Sequence, residues 1–315
     1  MNMASQTYQK ARTFVYRNAR PLDIARWQYH FEGGSREAVL VALAAYQNED
    51  GGFGHALEPD LWSPDSSPFV TSSAIGELRE IGFRDTRHPI VQGILRYLDS
   101  GSYRCETGWF LKLPSNNDHP HAPWWTYEKM DAEARDAGVY ESNPTATVIL
   151  AGFALRTAAR DSALFAFALQ AAMKAIETLP PAVEVERHLL GSYCRLLEDA
   201  TAATLHDTLP LAAFSDALKA AVANAIEPDT SKWYVEYVAT PVWYFNSRES
   251  PYYLDNKELA EYECKAIAET QLPDGAWPTP WGWTDYPEQW AVAKNWWRSH
   301  LAVSNMLYLQ GMGAL

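Results

Sequence analysis

Apolar residues recur at helical spacing along most of the chain, and strand-like alternation is scarce. Runs at 36–47, 145–158, 161–179, 184–198, 211–226 and 257–271 repeat apolar positions at i, i+3 and i+4. That period puts one face of a helix against a core. The run 145–158 is apolar almost throughout, as an inner helix packed on every side would be. Ser142, Asn143 and Pro144 ahead of it read as its N-terminal signal, because proline is tolerated in a first helical turn. Residues 108–113 are the one segment that reads as a short strand. The pattern predicts an all-α protein.

Within that pattern a unit repeats. Gln47-Asn-Glu-Asp50-Gly51-Gly-Phe53 returns as Gln271-Leu-Pro-Asp274-Gly275-Ala-Trp277, with Asp, Gly and the aromatic three, four and six residues after Gln in both. Each copy ends a helical run and is followed by a loop and a second apolar run that stops at glycine. Aligning Gly82 with Gly313 superposes Ser73 on Ser304, Ile75 on Met306, Leu78 on Leu309 and Ile81 on Met312. The unit is helix, Gln-x-x-Asp-Gly-x-aromatic turn, long loop, helix. Its Asp and Gly suit a turn between helices, as a cap and a positive-φ position. Gln47, Asp50, Gly51, Phe53, Gln271, Asp274, Gly275 and Trp277 are therefore assigned to structure rather than chemistry.

These two turns resemble the Q-x-x-D-G-x-W/F turn of the terpenoid cyclase and protein prenyltransferase superfamily. The resemblance implies an α/α toroid, in which inner helices line a cavity and outer helices surround them. It makes residues 1–315 one toroid domain, with 67–82, 142–158, 184–198 and 292–311 on the inner wall. The D-x-D-D acid motif of squalene-hopene-type cyclases is absent, and the Asp, Cys and His zinc ligands of protein prenyltransferases have no clear counterpart. The fold is thus better supported by the resemblance than any single activity.

Composition narrows the partners. A net charge of −13 disfavours a nucleic-acid backbone, which needs a basic face. No stretch has the roughly 18 uninterrupted apolar residues of a spanning helix. The start MNMASQTYQKARTF lacks the apolar core of a secretory signal. Three cysteines far apart, Cys105, Cys194 and Cys264, suit a reducing compartment, so a cytoplasmic location is expected. The unusual feature is the aromatic content, 13 Trp and 17 Tyr, clustered in loops.

Those loops are where chemistry is expected. The first carries His55, Glu58, Asp60 and Trp62, and a second carries His119, His121, Trp124 and Trp125. A third carries Trp243, and the last carries Trp281, Trp283 and Asp285 and leads to Trp297, Arg298 and His300. Protonating an olefin needs a poorly solvated acid, and π faces then stabilise the carbocation. Glu58 and Asp60 are the candidate acids, and His55 the group that positions or reprotonates one of them. Trp62, His121, Trp124, Trp125, Trp243, Trp281, Trp283, Asp285, Trp297 and Arg298 are the candidate ligand-binding residues. The expected ligand is an isoprenoid-type small molecule, apolar or stacking on aromatic rings, and no cofactor or metal is implied.

Two other classes fit the same residues. A carbohydrate-active hydrolase or lyase would stack sugars on Trp and set Glu58 or Asp60 opposite Asp285 or Glu288. A non-catalytic toroid would bind a ligand or partner through its aromatic mouth. A zinc site from His55, His119, His121 and His300 lacks any ligand spacing that would single it out.

Overall fold

The protein, in a computed structural model, is described over residues 3–138, 144–181 and 186–315. Among these residues it is all-helical: twelve α-helices, short 3-10 turns and no strand. In chain order they are α1 (Met3–Asn18), α2 (Pro21–Phe31), α3 (Arg36–Ala44), α4 (Pro68–Glu80), α5 (Pro89–Asp99) and α6 (Lys129–Asp136). They continue with α7 (Thr145–Thr157), α8 (Ala163–Glu177), α9 (Arg187–Ala202), α10 (Leu211–Ala225), α11 (Lys257–Thr270) and α12 (Pro287–Gly311). Every helical run read from the sequence corresponds to one of these. Ser142 and Asn143, and the first residues of the 184–198 run, lie outside the described residues.

The chain divides into two compact units, Leu43–Leu218 and a second assembled from Met1–Ala42 with Lys219–Leu315. In the continuous unit α7 packs against α4, α5, α8 and α9. Residues 145–155 are all buried, which explains why α7 has almost no polar face. Its one concession is Gly152, where a Cβ would sit 2.9 Å from Asp199 Oδ2. Asp199 is 1% exposed and pairs with Arg79 of α4 and with Arg156 of α7, tying three helices through one carboxylate. Removing either cation would leave part of that buried charge uncompensated.

In the discontinuous unit α1, α2, α11 and α12 pack on one another. A second buried charge network lies here, with Asp23 accepting from Arg20 at 3.0 Å and from Arg26 at 2.8 Å. Burial alone would raise the Asp23 carboxyl, but the Arg20 and Arg26 guanidinium groups outweigh it and hold its pKa below the usual carboxylate range.

The repeat is realised in bond-for-bond detail. Gln47 Nε2 donates to Gly51 O at 2.9 Å and to Ile90 O in α5 at 3.0 Å. Gln271 Nε2 donates to Gly275 O and to Thr7 O in α1, both at 2.9 Å. Asp50 and Asp274 each accept from the backbone N–H two residues on, at 2.9 and 3.2 Å. Gly51 and Gly275 have φ of +95° and +101°, and a Cβ on them would strike Gly93 O at 2.0 Å and Lys10 O at 2.2 Å. Gly93 follows Ile90 by three residues, as Lys10 follows Thr7. Helix α1 therefore serves the second turn as α5 serves the first.

The helices after the turns also end alike. Gly82 and Gly313 adopt φ of +61° and +64°. Phe83 N–H returns to Leu78 O at 2.9 Å, and Ala314 N–H to Leu309 O at 2.8 Å. This is the six-to-one bond of a glycine-terminated helix, found at both aligned positions.

The strand expected at 108–113 does not form. The segment makes a single isolated bridge, Arg104 with Trp109. Phe110 N–H donates to Tyr103 O at 3.0 Å and Cys105 N–H to Gly108 O at 2.9 Å. Trp109 N–H, however, donates to Thr147 Oγ1 of α7 at 2.8 Å, so a helix side chain takes the bond that would extend a ladder.

Candidate functional site

In the continuous unit the first two aromatic loops are brought together. Leu61 and His121 form an antiparallel bridge, with Trp62 N–H to Pro120 O at 3.0 Å and Ala122 N–H to Asp60 O at 2.9 Å. This pairing buries Glu58 to 8% and Asp60 to 3% exposure, unusual for loop carboxyls. Trp125 packs on Phe69, in the first turn of α4, with ring centroids 4.3 Å apart. Its indole N–H is buried and meets no acceptor. Ser67 caps α4 by accepting from Val70 N–H at 3.1 Å, with Pro68 in the first turn, and so fixes where Phe69 stands.

The other predicted members of this group take different places. Exposed His55 bonds through Nε2 to Asn48 Oδ1 at 2.8 Å. An amide oxygen only accepts, so Nε2 carries the proton. Asn48 in turn donates to Pro64 O and Ser66 Oγ, both at 3.0 Å, which makes His55 a brace for the loop. His55 and Ala56 both adopt left-handed backbone, φ 57° and 59°. Two such residues in succession mark a strained corner held by its surroundings. His121 contacts His119 O at 2.7 Å and Thr126 Oγ1 at 3.1 Å through its two ring nitrogens. Trp62 donates to Pro59 O at 2.9 Å, whereas Trp124 is 43% exposed.

The discontinuous unit gathers the remaining loops into a row of rings. Trp243 meets Tyr237 at 5.5 Å, Tyr237 meets Trp281 at 5.5 Å, and Trp281 meets Trp297 at 5.6 Å. Trp297 then meets His300 at 5.7 Å. All four contacts are edge-to-face, the arrangement favoured by ring quadrupoles. The indole N–H groups of Trp281 and Trp297 are buried without an acceptor. Arg26 Nη1 stands 3.0 Å from His300 Nδ1. Guanidinium only donates, so Nδ1 holds a lone pair there and the imidazole proton is on Nε2. Trp283 pairs with Trp290 at 5.8 Å, and Asp285 is exposed. Arg298 turns away from this row toward Asp274, reaching its two carboxylate oxygens at 2.9 and 2.7 Å.

Sequence reading misses the most perturbed carboxyl in this unit. Glu263 of α11 is fully buried; it accepts from Val242 N–H at 2.8 Å and from Tyr234 OH at 3.1 Å, and bonds Thr240 Oγ1. Burial pushes its pKa up to about 7, against the opposing pull of these hydrogen bonds. Tyr234 reaches it from a left-handed backbone position, φ 63°. Glu263 thereby pins both ends of the loop that carries Tyr237 and Trp243. A signal is present in the sequence: Glu263 stands eight residues before Gln271, where the first copy has Val39 eight before Gln47.

Among the described residues no group of three or more His, Cys, Asp or Glu is placed to hold a metal ion, and Cys105, Cys194 and Cys264 form no disulfide. No helix of those residues is long and apolar enough to cross a membrane. In comparisons with known proteins, the chain matches no family model, no curated protein and no solved structure.

Proposed function

We propose that the protein binds and transforms an isoprenoid-type small molecule by general-acid chemistry, with Asp60 or Glu58 as the acid. The observation that carries this reading is the burial of both carboxyls in a loop clamped to the one that presents Trp125, itself packed on Phe69. A carboxylic acid shielded from water delivers its proton to a double bond, and the cation that results is stabilised by adjacent π faces. Loss of a neighbouring proton to the carboxylate then restores the acid and closes the cycle without a cofactor. Trp125 and Phe69 supply the adjacent π faces in this proposal, and His55 acts through Asn48 by holding the loop corner. The superfamily resemblance supports the reading, and the α/α toroid belongs to the same proposal. The equivalence of α1 and α5 beneath the two turns supports the repeated helix–turn–helix unit from which such a ring would be built.

The test uses a farnesol-length polyene alcohol and a xylo-oligosaccharide as competing probes. Tryptophan fluorescence should report binding of the polyene, and mass-neutral isomers should appear on incubation. Asp60→Asn or Glu58→Gln should retain binding and lose about 100-fold or more in turnover, the scale of a general acid. Binding of the oligosaccharide alone, or turnover untouched by both substitutions, would overturn the reading.

A further inference from the structure

A cleft of about 520 Å³ lies in the discontinuous unit between α1, the second Gln-Asp-Gly turn and α12. It is apart from the carboxyl loop, and nothing in the proposed function uses it. Its wall carries Lys10, Arg17 and Arg298 against the single carboxylate Asp274, a locally positive balance in a chain of net charge −13. Such a reversal of sign inside a concave site concentrates anions from solution.

The cations differ in how they are held. Arg298 is fixed: Nη2 bonds both Asp274 oxygens, Nε reaches Trp277 O at 3.4 Å, and the guanidinium lies 4.7 Å over the Phe14 ring. Its side chain is only 12% exposed, and Nη1 has no hydrogen-bond partner among the described residues. Lys10 and Arg17 are exposed and form no ion pair among those residues, one turn before and one turn after Phe14 on the same face of α1. Their long stems can converge on the space in front of Arg298. The side-chain amides of Gln9 and Asn295 add donors to the same wall, while Phe14 and Pro273 give it an apolar floor.

We propose that this cleft binds the phosphate group of a small organic phosphoester, with Arg298 Nη1 as the fixed donor and Lys10 and Arg17 closing over the oxyanion. Arginine's planar donor set and lysine's mobile charge match a tetrahedral anion. Asp274 does not oppose it, because Arg298 already neutralises its charge. Partial burial would raise the Asp274 carboxyl, but the bonds from Arg298 outweigh that and hold its pKa low. The cleft is open to solvent and has room for a ligand larger than a bare ion, and the apolar floor favours an ester over free phosphate.

Isothermal titration with phenyl phosphate and, separately, with inorganic phosphate tests this on the full chain. Phenyl phosphate should bind more tightly, with affinity falling as salt rises. The exposed double substitution Lys10→Glu, Arg17→Glu should weaken it about tenfold or more with unchanged thermal stability. Equal affinity for the two probes would overturn the ester assignment in favour of a free-phosphate site. Absence of binding to either, or binding undiminished in the double variant, would overturn the anion site itself. The outcome does not depend on whether Glu58 and Asp60 act as acids.

Discussion

The two Gln-Asp-Gly turns solve one problem with one set of bonds and then diverge in what surrounds them. Both use Gln Nε2 to join the turn to a helix carbonyl, and both press a left-handed glycine onto the carbonyl three residues further along that helix. Around the first turn the carboxylate Asp50 accepts from the Ser66 hydroxyl at 2.7 Å, a neutral partner. Around the second, Asp274 takes the Arg298 guanidinium instead. The helix before the first turn carries Val39 at the core position where the helix before the second carries Glu263, and both are fully buried. The shared bonds are those that the backbone requires. The differences lie where a side chain has been released to do something else, holding an aromatic loop in one case and lining a cationic cleft in the other.

The sharpest way to break the equivalence is at the glycines. Gly51→Ala and Gly275→Ala should each cost more than about 3 kcal/mol in urea unfolding, because a Cβ at 2.0 or 2.2 Å from a backbone oxygen forces the turn off its helix. A loss below about 1 kcal/mol in either would show that the turn is not docked as described.

Glu263 tests the divergence. Its carboxyl titrates near 7 in the folded chain against an ordinary value of 4.5, so the native state binds the proton more tightly than the unfolded chain. Its contribution is therefore fully present below pH 4.5 and is lost as pH rises through 7. Linkage over that window amounts to about 3 kcal/mol. Glu263→Gln should flatten the fall in stability across that same window, measured against wild type. An unchanged pH profile would place the titration elsewhere.

The smallest of these effects sharpens the likeness. Gln47→Ala and Gln271→Ala each strand two backbone carbonyls and should each cost about 1–3 kcal/mol. Loss in one variant with none in the other would show that the repeat is one of sequence and not of energetics.

Much of this architecture is legible in the amino-acid pattern. The alignment of Gly82 with Gly313 predicts matching helix ends, and the same left-handed glycines and six-to-one bonds terminate α4 and α12. The near-total apolarity of 145–158 announces the burial of α7. Position in a loop after the turn singles out Glu58 and Asp60, and both are buried. Glu263 is hidden because it occupies an ordinary helical slot; its neighbours Tyr234, Thr240 and Val242 come from a loop with no periodic pattern to align. The strand reading of 108–113 fails for a related reason, since alternation cannot say that Thr147 of α7 will take the bond of Trp109.

The helices, their glycine stops and the Gln-Asp-Gly turns thus follow from the chain's own pattern, because each rests on period and backbone geometry within a few residues. Long-range packing selects which helix receives each Gln, which carboxyl loses its water and which cations stay unpaired. Those choices depend on segments far apart in sequence: Thr7 meets Gln271, and Phe14 meets Arg298. No local propensity encodes such meetings. They are settled by the burial of apolar faces, which brings distant polar groups into one low-dielectric neighbourhood, where each must find a partner or bear the cost of desolvation.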